Sequence, residues 1–155
     1  MDRRSGAGGG LTMEEIEHLC TFDLDSLFVG IEVSRIQEIL RAQPVTPVPL
    51  APSVIRGLMS LRGQIVPVMD LRQRLGVNPA EPELEQFNVL IRTGDGPISL
   101  LVDRVGDVVE VETSLFESAP DTLNAAYRSL IRGAYKLERR LLLALDASSA
   151  VTVDF

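Results

Sequence analysis

The sequence predicts a mostly β protein built from two small β-barrels in tandem. Three observations carry that expectation. Short apolar segments of strand length recur about ten times along the 155 residues, with Gly and Pro punctuating them. The helices that the pattern allows are all short. One pattern also occurs twice: Ile31-Glu32-Val33-Ser34-Arg35-Ile36-Gln37-Glu38-Ile39 aligns with Leu100-Leu101-Val102-Asp103-Arg104-Val105-Gly106-Asp107-Val108, an offset of 69 residues (100 − 31), close to half the chain. Barrels suit such strands because closure removes unpaired edges.

Met1 to Gly10 is small and Gly-rich, buries too little apolar area to offset its backbone entropy, and reads as a flexible tail. Thr12 and Glu15 are spaced as a capping box for a short helix to about Leu19, so residues 1–19 form the tail and 20–155 the folded domain. Cys20 to Leu24 alternates as a strand, and Asp23-Leu24-Asp25-Ser26 turns it. Leu27 to Val33 is the next strand. Arg35 to Leu40 fits a strand or a helical turn equally. Pro44, Pro47, Pro49 and Pro52 forbid a helix and keep the chain between them extended. Ser53 caps a short helix through about Met59. Gly63 supplies positive φ in the turn that follows.

Gln64 to Asp70 is a strand interrupted at Pro67. Asp70 caps a helix from Leu71 to Leu75, and Gly76 stops it. Asn78 to Glu85 is an acidic loop. Thr93-Gly94-Asp95-Gly96 joins strands Asn88 to Arg92 and Pro97 to Asp103. Val105 to Val111 is a strand, and Asn124 to Ile131 a short helix. Ala134 to Glu138 and Leu141 to Leu145 are the last strands, turning at Arg139-Arg140, and Asp146 starts a final helical turn.

Composition narrows the function. Fifteen Lys and Arg against 22 Asp and Glu give a net charge of −7, the wrong sign for displacing counterions from nucleic acid. One His and one Cys exclude a multi-His metal site and an internal disulfide. No apolar run approaches the roughly 20 residues a bilayer span requires, and no signal peptide opens the chain. No GxxxxGK(S/T) or GxGxxG phosphate cradle is present. His18 lies in the predicted tail, where catalytic geometry is not held. Cys20 reads as a small core hydrophobe. Asp23 with Asp25 and Asp103 with Asp107 read as turn formers rather than catalytic carboxylate pairs. Arg128, Arg132, Lys136, Arg139 and Arg140 form a cationic run suited to a solvated face or a protein partner. What remains is the apolar run Val54 to Val68, with Arg62 between apolar stretches and before a Gly, a pattern suited to the rim of a binding groove.

The stretch from Val54 to Arg72, Val-Ile-Arg-Gly-Leu-Met-Ser-Leu-Arg-Gly-Gln-Ile-Val-Pro-Val-Met-Asp-Leu-Arg, resembles the hallmark of the CheW family of chemotaxis coupling proteins. Ser60 departs from it, Asn being usual there. Phe28 to Ile39 and Leu101 to Val108 resemble two further family patterns, and the resemblance runs from about Phe22 to Ala147. It implies two five-stranded SH3-like barrels, no catalysis and no cofactor. It implies two partners: the regulatory domain of the histidine kinase CheA, and the cytoplasmic tip of chemoreceptors. The protein would then be cytoplasmic and recruited to membrane-associated receptor arrays. The receptor-facing positions would be Ile36, Glu38, Ile39, Gly57, Leu58 and Arg62, and the kinase-facing ones Arg56 and Ile65. A coupler of a parallel pathway controlling gliding or pili, and a self-associating scaffold, are the alternatives.

Overall fold

Short apolar segments must pair their backbone N–H and C=O groups with other strands. The computed structural model, which describes residues 15–121 and 124–153, shows how they do so. The chain runs through β1 (Ile16–Leu24), β2 (Leu27–Glu32), a 3-10 turn (Val33–Arg35), β3 (Ile36–Arg41), β4 (Ile55–Leu61), β5 (Gln64–Asp70) and α1 (Leu71–Arg74). It continues through β6 (Phe87–Ile91), β7 (Ile98–Val102), β8 (Arg104–Glu112), a second 3-10 turn (Thr113–Leu115), α2 (Ala125–Arg128), β9 (Ile131–Lys136), β10 (Leu141–Leu145) and α3 (Ala147–Ala150).

The strands form two five-stranded sheets, ordered β8-β1-β2-β10-β9 and β3-β6-β7-β5-β4. The protein is thus mostly β, but the sheets do not follow one another in tandem. Strands three to seven make the second sheet, and the two ends of the chain together make the first. Advancing each strand by five positions converts one order into the other. Parallel pairing falls at equivalent places, β10 on β2 and β5 on β7. The internal repeat is therefore real, but its two copies, β2–β3 and β7–β8, are the two segments where the chain crosses between sheets.

Other local expectations change too. Residues 16–19 are strand, not helix: Ile16 pairs with Glu112 and Leu19 with Val109. His18 therefore lies on a strand, its Nε2 3.1 Å from Glu110 Oε1. The tail at residues 1–10 and the Thr12 cap lie outside the described residues. Ser53 starts no helix, because β4 pairs antiparallel with β5 from Ile55 to Leu61. Long-range pairing overrides the local cap signal. Pro67 does not break β5, since pairing with β7 begins at Val68. The helix near residue 125 stops at Arg128, and Ile131 already belongs to β9. Nor do the sheets close as barrels. Each has two edges, and one isolated bridge joins an edge strand to the segment that follows the opposite edge strand: Leu58 of β4 to Thr46 after β3, and Ala134 of β9 to Glu117 after β8.

The helices at equivalent places are capped alike. Asp70 accepts from Gln73 N at 3.2 Å, and Asp146 from Ser149 N at 3.1 Å. Gly76 has φ +74°, and a Cβ there would lie 2.3 Å from the Tyr127 ring. Burial divides into three clusters. The largest takes Phe22, Leu24, Val29 and Ile31 from the first sheet and Val89, Ile91, Leu100 and Val102 from the second. Each such side chain contributes about 1.5–3 kcal/mol, so this cluster holds the sheets together. A smaller cluster lies within each sheet: Leu19, Val111, Tyr135, Leu142 and Ala144 in the first, and Met59, Val66, Val68, Leu90 and Leu101 in the second.

Candidate functional site

The expected receptor-facing positions fall on the two edges of the second sheet. Ile36, Glu38 and Ile39 are on β3, Gly57 and Leu58 on β4, and Arg62 in the β4–β5 turn. Arg62 and Gly63 both have positive φ, 50° and 81°, the combination that matches a two-residue turn to the strand twist. Left-handed backbone is uncommon for Arg. It directs the guanidinium across the gap, where Nη1 donates to Glu38 Oε1 at 2.8 Å and Nη2 to Oε2 at 2.5 Å. The Arg62 hydrogen bonds hold the Glu38 carboxyl below the usual carboxylate range, and Glu38 raises the Arg62 guanidinium in turn. This fork ties the opposite edges together. Arg62 remains 69% exposed, so the charge stays available to a partner.

The other positions separate. Ile36 and Ile39 pack against the central cluster, so they do not stand free beside Leu58. Gly57 is buried, with φ +150°, and a Cβ there would lie 2.3 Å from Thr46 O. It is the close approach that lets Thr46 and Leu58 exchange hydrogen bonds of 2.8 and 2.9 Å. Arg56 donates to Asp70 Oδ2 at 3.2 Å. Ile65, 61% exposed, borders a mixed groove of about 550 Å³ lined by Ile55, Pro67, Met69 and Val153 together with Gln64, Asp95 and Thr152. Arg56 lines a separate cavity with Gln43, Val45 and Asn88, so it and Ile65 face different cavities.

Three features escaped the sequence reading. Ile-Arg-Gly occurs at 55–57 and again at 131–133. The second glycine repeats the role of the first, since a Cβ on Gly133 would lie 2.4 Å from Glu117 O. The identical tripeptides were the available signal. Arg132 there pairs with Glu17, which also accepts from the Tyr135 hydroxyl at 2.8 Å. Burial and this carboxylate push the Tyr135 phenol up to about 12. Finally, Arg72 on α1 forms a buried fork with Asp103 between β7 and β8, at 2.6 to 3.1 Å. Burial opposes ionisation of Asp103, but the Arg72 hydrogen bonds, with Asp25 N–H and Gln86, outweigh it and hold the carboxyl below its ordinary range. No signal in the sequence joins these two.

Among the described residues no cluster of His, Cys, Asp and Glu is suited to a metal, and no helix is long and apolar enough to cross a membrane. What the geometry offers is exposed edges, the groove beside Ile65, a second groove lined by Ile16, Val111, Leu115, Tyr135 and Leu137, and the exposed Glu38–Arg62 fork.

Comparison with known proteins identifies the family. The family described as CheW-like domain matches residues 18–154. The chain is 32% identical over 135 residues to Chemotaxis protein CheW of Bacillus subtilis (strain 168), covering 87% of this chain and 86% of that one. It is 30% identical over 119 residues to Chemotaxis protein CheW of Rhizobium meliloti (strain 1021), covering 77% of each. Protein FrzA of Myxococcus xanthus is 38% identical over 66 residues, 43% of this chain and 41% of that one. The crystal structure of the scaffolding protein TtCheW from Thermoanaerobacter tengcongensis superposes with a TM-score of 0.78 at 21% identity, covering 89% of this chain and 94% of that one, a likeness of fold.

Proposed function

This chain belongs to the CheW-like family, and from that premise we propose that it acts as a chemotaxis coupling adaptor holding chemoreceptors and the histidine kinase CheA in one assembly without catalysing a reaction. The observation that carries the reading is the family match across residues 18–154. The two sheets, each with its inner cluster and one bridge across its gap, are read as the family's two SH3-like barrels. A receptor's cytoplasmic tip docks along β3, the β4–β5 hairpin and the Glu38–Arg62 fork between them. Leu58 on the outer side of β4 supplies apolar contact, and the fork sets register through charge-assisted hydrogen bonds. The kinase's regulatory domain docks on a second face that includes Arg56 and Ile65. Such contacts are modest individually, and an array gains strength from their number. The site of action is the cytoplasm, at receptor arrays.

Calorimetric titration with a receptor cytoplasmic-tip fragment and, separately, with the kinase regulatory domain tests this. The wild-type chain is expected to bind both. Arg62→Ala is expected to weaken the receptor fragment about tenfold or more, the effect of losing a hot-spot arginine, and to leave the kinase titration unchanged. Binding of neither protein overturns the reading. Equal receptor affinity for wild type and variant moves the receptor surface away from the fork.

A further inference from the structure

Asn88 is fully buried on β6, between β3 and β7 in the second sheet. Strand pairing gives its counterpart in the first sheet. Leu19 pairs with Val109 and Glu32; Asn88 pairs with Leu40 and Leu101. Leu40 to Val109 and Glu32 to Leu101 are both steps of 69 residues, the offset of the internal repeat. Where one sheet buries a leucine, the other buries an amide. A buried amide costs free energy unless its hydrogen bonds are made, so Asn88 needs a reason.

Its carbonyl has one. Asn88 Oδ1 accepts from Gln43 N at 2.9 Å, which fixes the orientation of the amide, because a flipped Nδ2 offers Gln43 no acceptor. Nδ2 is then left buried without a hydrogen-bond partner. Asn88 lines a cavity of about 150 Å³ with Gln43, Val45, Arg56, Val68, Leu84, Gln86 and others. The polar residues around it are committed in a complementary way. Gln43 Nε2 donates to Arg41 O at 2.8 Å and Gln86 Nε2 to Asp103 Oδ1 at 3.1 Å, which leaves the amide oxygens of both glutamines as acceptors. The Arg56 charge is matched by Asp70. Glu85 is likewise matched by Arg41 at 3.0 Å, and Glu83 beside Leu84 in the chain disfavours an incoming anion.

We propose that this cavity is a binding site for a neutral primary carboxamide. Its oxygen accepts from Asn88 Nδ2 once the side chains covering that atom give way, its NH2 donates to the Gln43 or Gln86 side-chain oxygen, and its short apolar stem lies against Val45, Val68 and Leu84. The volume suits one such group, or roughly five waters at about 30 Å³ each. The carboxamide comes either from an Asn or Gln side chain of a docking protein or from a small free amide.

Nuclear magnetic resonance of the full isotope-labelled chain decides, reading the Asn88 side-chain NH2 signals. The probes are propionamide, propionate, and a blocked Ala-Gln-Ala peptide with Ala-Ala-Ala as control. Saturable shifts with propionamide but not propionate are expected. If the Gln peptide also shifts the signals and the control does not, the site takes a protein side chain; if only propionamide does, it takes a free small amide. Leu84→Trp fills the mouth without touching the hydrogen bonds. Asn88→Leu installs the residue of the first sheet. Both are expected to weaken propionamide about tenfold or more, read for Asn88→Leu from the backbone signals of Gln43 and Val45. Signals unmoved by any amide, shifts equal for propionamide and propionate, or shifts that persist in Leu84→Trp overturn the proposal and leave a cavity occupied by water.

Discussion

Truncating Asp103 to Ala removes one half of the most buried ion pair among the described residues and leaves the other half stranded. Arg72 then keeps one described partner, Asn78 O at 2.6 Å, while its Nε and Nη2 lose theirs. Asp25 N–H and the Gln86 amide lose theirs as well. Breaking a buried pair from one side costs about 3–5 kcal/mol. This pair borders a cavity of about 370 Å³ shared with Asp23, Asp25, Arg104 and Arg140, where solvent screens it, so the lower end, about 3 kcal/mol, applies. Against the 5–15 kcal/mol of a typical domain, that is a large fraction. Urea unfolding followed by circular dichroism should show the midpoint falling at constant slope. Thermal unfolding should shift down by roughly 6–12 °C, at 2–4 °C per kcal/mol for this size. The double variant Arg72→Met/Asp103→Leu, which removes both charges, should recover most of the loss. A cost below about 1 kcal/mol for Asp103→Ala, or a double variant as unstable as the single, refutes the reasoning.

The same pair sets an acid limit. The folded Asp103 carboxyl lies below its unfolded value of about 3.9, so its contribution is complete above that value and disappears as the pH falls through the folded one; Asp103→Ala should flatten the acid limb of a stability–pH profile. The Tyr135 phenol should titrate near 12 in an ultraviolet absorbance titration, and Tyr135→Phe should remove that step. Its folded value is raised, so this stabilisation is complete up to the unfolded value near 10, where the profile's alkaline limb begins. Gly57→Ala should destabilise the protein by several kcal/mol, because the added Cβ meets Thr46 O at 2.3 Å and the backbone there is strained for an L side chain; thermal unfolding checks it. Gly63→Ala meets no neighbour within 4 Å and should cost only about 1 kcal/mol, for its positive φ.

The strand inventory was readable because Gly, Pro and alternation act within a few residues. Pairing partners lie far apart in sequence, so nothing local showed that β1 and β2 wait for β8 to β10 rather than joining β3. The repeat was visible, but its meaning as a crossover required the sheets. Ser53 misled because a good cap signal stands before residues whose partners lie further along the chain, in β5, from Ile55 with Met69 to Met59 with Val66. Asp70 did not mislead, since its cap and its helix are neighbours. Of the site, Glu38 and Arg62 were reached through a family pattern; their contact depends on two sheet edges curling toward each other. The Gly57 and Gly133 contacts depend on which carbonyl presses on each glycine, and only the shared Ile-Arg-Gly betrayed them.

The interleaving has a consequence for biosynthesis. As the chain leaves the ribosome, β3 to β7 can assemble as soon as residue 102 emerges, whereas β1 and β2, made first, have no complete sheet to join until residue 145. The strands translated before β3 are therefore shielded later than β3 to β7 themselves. Their apolar faces stay open to chaperones until β10 has been translated.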